Sequence, residues 1–437
     1  MLGLVTFFGL LLALLIGTLR RPAVAFAAVL CLYGLKQWGQ DTSPFLVEHR
    51  TIANWSAAVL VAIALLRPRE RNNPHLTPTS SLPWVLGVAL YGYAFITLAW
   101  SPDWKVALAQ WVSQAPYVLV VALFAPLLLS NTPDVKRICD WTVMIGTTLC
   151  ALALLFGHWG ARGLLVNGDL TATETDPLAI AGLGGTICVA AVLAFPGAPW
   201  RKKLLYALAV PVGLAVILRS GSRGQLVATG LALLVGWPLV SARRSLWTWV
   251  ALAVIALVLD LVGAWLFQQL GVDSYRWTGA QSQEDITGRL AMASALLQHA
   301  IAHPASLVFG LGNSSSFYYM GIYPHIAALE VLGEEGLIGA TIYLCMVAST
   351  LQSILKIKAS NGEHADSAAR YALGVLTALL VFEFVLTLKQ GTLLSSTYAI
   401  AYAAMLGRMA AWQPATASPL ATPESMAPVM PFPNLMR

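Results

Sequence analysis

Apolar runs about 20 residues long, separated by short polar breaks, recur from one end of this chain to the other. A helix needs roughly 20 apolar residues to cross about 30 Å of hydrocarbon, and only a helix or a closed barrel satisfies its backbone there. The runs occupy residues 2–19, 22–40, 51–67, 83–99, 108–130, 138–157, 178–196, 203–218, 224–241, 245–268, 335–356, 367–388 and 391–409. The pattern predicts an all-α polytopic membrane protein with about twelve or thirteen spanning helices. Lys36, Gln37, Gln40 and Asp41 dilute the second run and Asn54 the third, so the count depends on those two.

One interval breaks the rhythm, the insertion from about 269 to 324. Within it Leu290, Ala293, Leu296, Leu297 and Ile301 recur at helical spacing, Thr287 stands where an N-cap would, and Pro304 ends the run. We expect an amphipathic helix over about 288–302. The chain thus divides into a helix bundle over 1–268, a loop domain over 269–334, further spans over 335–410, and a tail over 411–437. The tail carries Pro414, Pro419, Pro423, Pro428, Pro431 and Pro433 without periodicity and is expected to be disordered.

Composition sharpens this picture. Of 437 residues 58% are hydrophobic and 11% charged, against roughly a quarter charged in a soluble domain. The formal net charge of +6 is spread over alternate short loops, a distribution that points to membrane topology and not to nucleic acid. These loops are 19–22, 67–71, the segment of Lys136 and Arg137, 200–203, 241–245 and 356–358. By the positive-inside rule they face the cytoplasm, which puts the insertion, the acidic stretch 167–176 and the segment LRSGSRG outside. A cleavable leader is not expected, because residues 2–19 lack a basic segment in front and are followed by Arg20 and Arg21. Cys31, Cys139, Cys150, Cys188 and Cys345 sit in or beside apolar runs without metal-ligand spacing and read as packing residues.

The candidate chemistry gathers on the outer side. Arg219 and Arg223 flank Ser220, Gly221 and Ser222 at the junction of two apolar runs, with Ser222 placed to cap the second. Two guanidiniums and a helix N-terminus at one point make an anion site. The ordinary alternative is that both arginines snorkel to lipid headgroups. Arg289 opens the loop helix, and FGLGNSSSF follows it with Gly310, Gly312 and Asn313. His325 precedes LEVLGEEGLIG, which holds Glu330 and Glu335. Each of these also has a plain reading, as a solvated arginine, a glycine-rich loop and an interfacial histidine.

The ordered succession RSGSRG, then GR at the start of a loop helix, then FGLGN, then a histidine before LEVLGEEGLIG resembles the O-antigen ligase family of bacterial inner-membrane glycosyltransferases. O-antigen polymerases and protein O-oligosaccharyltransferases share that signature. The motif similarity covers about 219–339. The chain departs from the family's usual pattern at Ile326, where a polar residue commonly follows the histidine, and after Arg289, where an aromatic is common.

The resemblance implies a GT-C-like glycosyltransferase in the cell inner membrane with its active site facing the periplasm. It implies transfer of a glycan from undecaprenyl diphosphate to lipid A-core oligosaccharide, in the lipid bilayer and without nucleic acid. Arg219, Arg223 and Arg289 would bind the diphosphate and stabilise it as a leaving group; arginine suits phosphate through its planar fork. His325 would act as base or orient the acceptor hydroxyl. Ser222, Gly310, Gly312, Asn313, Glu330 and Glu335 would support them, the two glutamates either as partners that orient His325 or in a structural role near the interface. No cofactor and no metal are expected, since no DxD-like pair accompanies the arginines. The outer-loop carboxylates Asp41, Glu48, Asp169, Glu174 and Asp176 are the place a metal would sit if one were needed. The alternatives are a polymerase or protein ligase with the same chemistry, and a transporter of the lipid-linked glycan.

Overall fold

The computed structural model describes residues 2–67, 81–160, 163–165, 177–241, 279–360 and 367–412. The expected span 245–268, the stretch 167–176 with Asp169, Glu174 and Asp176, and the tail lie outside the described residues. Within them the regular structure is helical apart from one short antiparallel hairpin, Trp159–Gly160 with Gly163–Leu164. Among the described residues seven helical stretches are long and apolar enough to cross a membrane, and Ile52–Leu66 is a shorter apolar one. This is an all-α membrane protein.

The first helices are α1 (Leu2–Arg20), α2 (Pro22–Leu30), α3 (Leu32–Thr42), α4 (Pro44–Glu48) and α5 (Ile52–Leu66). The single run expected over 22–40 is two helices meeting at Cys31. The backbone bonds Cys31 N to Ala27 O (3.1 Å) and Leu35 N to Cys31 O (2.9 Å) survive, so the chain bends there without unwinding. α2 is apolar on every side and buried from Ala23 to Leu30, as a helix must be when neighbours surround it.

Next come α6 (Leu82–Thr97), α7 (Trp104–Tyr117) and α8 (Thr132–Phe156). Asp103 caps α7 by accepting from Val106 N at 3.1 Å, and Asn131 caps α8 by accepting from Asp134 N at 3.0 Å. α7 carries Pro116, which cannot donate to the preceding turn. Just after it the chain widens into a π-helical stretch, Val118–Phe124, and then tightens into a 3₁₀ turn, Ala125–Leu128.

α9 (Pro177–Ala194), α10 (Trp200–Arg219) and α11 (Arg223–Val240) complete the described part of the first bundle. The remaining helices are α12 (Gly279–Ile301), α13 (Pro304–Phe309), α14 (Ser315–Met320), α15 (Ala327–Glu334), α16 (Gly336–Ser360), α17 (Ser367–Thr387) and α18 (Thr397–Ala411). α11 packs most extensively on α17. Their backbones approach because Gly236 faces Gly374 and Ala378, leaving no room for a larger side chain. α16 lies against α6 and α18.

The loop helix α12 begins at Gly279, ahead of the expected start. Thr287 is therefore no N-cap: it sits inside the helix, its hydroxyl donating to Gln283 O at 2.8 Å. α12 rests on α15, with Leu296 fitted over Gly333. The last apolar run also starts later than expected, because residues 391–396 form a loop before α18.

Candidate functional site

The turn between α10 and α11 follows from one glycine. Gly221 takes φ +66°, a left-handed conformation that costs glycine little. It lets Gly221 N donate to Leu218 O (3.0 Å) and Ser222 N to Ile217 O (3.2 Å), the paired bonds of a Schellman end. Arg219 is the last residue of α10 and Arg223 the first of α11, so the turn presents both half-buried arginines together. Ser222 does not cap α11 with its side chain: its Oγ accepts from Ser220 Oγ at 2.9 Å. Gly224 lies inside the helix, and its bare Cα makes room for Lys389, whose aliphatic chain and Nζ lie over it. Lys389 thus brings another cation to this turn, one the sequence reading passed over because it falls just before an apolar run.

A second construction surrounds the glycine loop. Gly310 and Gly312 take φ +85° and +97°, which lets the backbone of 311–312 lie against α15. Leu311 N donates to Gly333 O (3.0 Å) and Gly312 N to Glu334 O (2.8 Å). From α6 and the turn after it, Thr97 Oγ1 accepts from Asn313 N (3.0 Å) and Trp100 Nε1 donates to Gly310 O (3.2 Å). Glu334 then accepts from Ser314 N at 2.6 Å and Ser316 N at 2.9 Å, and Glu335 accepts from Asn313 Nδ2 at 2.7 Å. Glu330 accepts from Leu393 N at 3.0 Å, in the loop before α18. Gly310, Gly312 and Asn313 are therefore occupied in fastening the loop to the glutamates.

All three glutamates are at most 3% exposed. Burial, the largest effect, raises the pKa of each, and the charge of Glu334 raises Glu330 and Glu335 further. Glu334 is pushed up to about 7 although its hydrogen bonds pull the other way.

His325 sits just before α15 with φ +61°, a strained conformation for a non-glycine residue. It packs on Tyr323 with ring centroids 4.2 Å apart. Burial lowers its pKa, and the nearby positive charge of Arg289 lowers it further. Arg289 and His325 are thus electrostatic neighbours, brought together by the packing of α12 over α15. Glu330 and Glu335 do not orient the imidazole, because their bonded oxygens serve Leu393 N and Asn313 and their second oxygens have no partner.

Between these two constructions lies a cavity of about 350 Å³, within the range of small-ligand sites. Glu330 and Glu334 line it from α15, Ser314 and Ser316 from the glycine loop, and Glu383 from α17. Gln110 and Gln114 reach it from α7, and Tyr33, Tyr323 and Tyr398 add aromatic rings. The loop after α17 links both sides: Gln225 Nε2, next to the arginine turn, donates to Gln390 Oε1 at 3.2 Å, and Leu393 meets Glu330. The signal for Glu383, Gln110 and Gln114 was present in the sequence, since polar groups inside apolar spans are rare and mark sites.

Elsewhere Asp41 is buried against His158, which approaches it through its backbone N (3.1 Å) and Nδ1 (3.1 Å), while Glu48 ends α4. Among the described residues no three His, Cys, Asp or Glu side chains are grouped as metal ligands would be. Four cysteines are buried and Cys345 is exposed, and all five are free thiols. Compared with known proteins, the chain matches no family model and no curated sequence.

Proposed function

We propose that this protein is an inner-membrane glycosyltransferase that moves an O-antigen glycan from undecaprenyl diphosphate to lipid A-core oligosaccharide on the periplasmic face. Two observations support this reading: Arg289 is paired with a half-buried His325 whose pKa is lowered, and Arg219 and Arg223 stand together at a separate turn next to Lys389. A base must be neutral at working pH, and a leaving diphosphate must be met by fixed positive charge.

In the reaction the acceptor hydroxyl loses its proton to His325 and its oxygen forms a bond to the donor's anomeric carbon. The bond from that carbon to the diphosphate oxygen breaks, and undecaprenyl diphosphate leaves with the electron pair, held by Arg219, Arg223 and Arg289. Direct displacement inverts the anomeric centre.

The test is transfer in vitro from purified undecaprenyl-diphosphate glycan to lipid A-core by wild type, Arg223→Ala and His325→Ala, with and without EDTA. The expected result is transfer that survives EDTA and collapses in both variants. Absence of transfer by folded wild type overturns the reading.

A second reading, transport of the same lipid, is favoured by one observation. The cavity is lined by Leu30, Tyr33 and Gly34 on either side of the helix break at Cys31, and interrupted spans commonly frame transporter sites. Movement of labelled lipid-linked glycan across proteoliposomes lacking acceptor would select it.

A further inference from the structure

We propose that Lys389 is a further diphosphate-binding residue, seated on Gly224 so that its ammonium joins Arg219 and Arg223 around one lipid-linked diphosphate. The proposal rests on the glycosyltransferase reading for the identity of the donor. It deepens that reading by assigning a residue outside the segment of motif similarity.

The packing of α17 on α11 puts the ammonium there. The two helices run antiparallel, with Gly374 near the start of α17 against Gly236 near the end of α11. The residues that follow α17 therefore come alongside the first turn of α11. The backbone is fixed at this point, since Lys389 N and Gln390 N both donate to Leu386 O, at 3.0 and 2.9 Å. Gln390 Oε1 accepts from Gln225 Nε2 at 3.2 Å, which ties the same stretch to α11. From that anchored backbone the lysine lies across Gly224, with Cδ, Cε and Nζ all against the space a β-carbon would fill. Arg223 precedes this glycine, and Arg219 ends the helix on the other side of the turn. All three cations are half-buried.

The charge arrangement suits an anion. Cations are disfavoured beside a helix N-terminus, yet Arg223 and Lys389 both stand at the first turn of α11, which carries no acidic residue. A bound anion reverses the sign of that interaction. A diphosphate is the fitting class, because breaking the glycosidic bond adds negative charge to it, and a cation that meets this charge favours the transition state over the bound donor. The exposed apolar neighbours point to a lipid as its carrier. Leu388 adjoins Lys389 and is 44% exposed, and Val227, one turn after Arg223, is 57% exposed. Apolar side chains exposed on spanning helices face hydrocarbon, where an isoprenoid tail would lie.

The experiment is binding by microscale thermophoresis to the full chain in lipid nanodiscs, with farnesyl diphosphate, farnesol and inorganic pyrophosphate as probes. Lys389→Met keeps an aliphatic chain over Gly224 and removes the charge, whereas Lys389→Arg keeps the charge. Gly224→Ala displaces a flexible side chain and leaves its charge intact. Farnesyl diphosphate should bind wild type more tightly than farnesol or pyrophosphate does. Lys389→Met and Gly224→Ala should each weaken it about tenfold, the effect of one hydrogen bond to a charged group, and Lys389→Arg should weaken it less. Unchanged affinity in Lys389→Met, or an equal loss in the Met and Arg variants, would overturn the proposal. Pyrophosphate bound as tightly as farnesyl diphosphate would also overturn it, by marking a site for free anions. Diphosphate binding that depends on Lys389 in a protein without transfer leaves this site standing and removes the enzyme reading. Transfer and diphosphate binding both unchanged in Lys389→Met do the reverse.

Discussion

Replacing Glu334 should show how much of the glycine-loop structure hangs on one carboxylate. Its two oxygens hold Ser314 N (2.6 Å) and Ser316 N (2.9 Å), and Ser314 is kept at φ +59°. Glu334→Ala strands both buried N–H groups, at about 1–3 kcal/mol each. Relief of the buried charge and of its repulsion by Glu330 and Glu335 offsets part of this, leaving about 2–4 kcal/mol. Glu334→Gln keeps an acceptor for one N–H and turns its amide donor toward the other, so it should cost about 1–3 kcal/mol. The assay is a thermal ramp with a thiol-reactive fluorophore at pH 8. Buried Cys31, Cys139, Cys150 and Cys188 report unfolding, and exposed Cys345 is first replaced by serine. A fall in midpoint of several degrees for Ala and a smaller one for Gln is expected. An unchanged midpoint in Glu334→Ala, or a larger fall in Gln than in Ala, would refute the reasoning.

Three other outcomes follow from the same geometry. Because the native pKa of Glu334 is raised to about 7, its stabilising contribution is complete below about pH 4.5 and declines as pH rises toward 7; wild-type melting should show this slope and Glu334→Gln a shallower one. Arg289→Gln removes one of the two effects that lower His325, so the acid limb of the transfer profile should move to higher pH, with burial keeping it from the full unperturbed value; an unmoved limb would separate Arg289 from His325. Gly310→Ala would drive a Cβ into the carbonyl of Glu334 at φ +85°, and the variant should melt lower by an amount at least equal to Glu334→Ala, read by the same thiol assay.

Helix content and most helix positions were legible in the sequence because the bilayer imposes a length and an apolar composition on each span separately, a constraint a one-dimensional pattern records. The same holds for the turn at Gly221, where a left-handed residue between two helices needs only local geometry, and for the adjacency of Arg219 and Arg223. What the sequence left open were interactions between elements distant along the chain. The bend at Cys31 keeps its backbone bonds and leaves no periodicity to read, and α12 begins at Gly279, in a polar stretch whose N-terminal turns have no apolar repeat. The glutamates of α15 look like surface charges in one dimension. Only folding puts them beneath the glycine loop, where Ser314, Ser316, Asn313 and Leu393 hold them. The cavity likewise draws Gln114, Ser316, Glu330 and Glu383 from separate elements. Burial and pairing are properties of the neighbours a residue acquires, and for these groups the neighbours come from far along the chain.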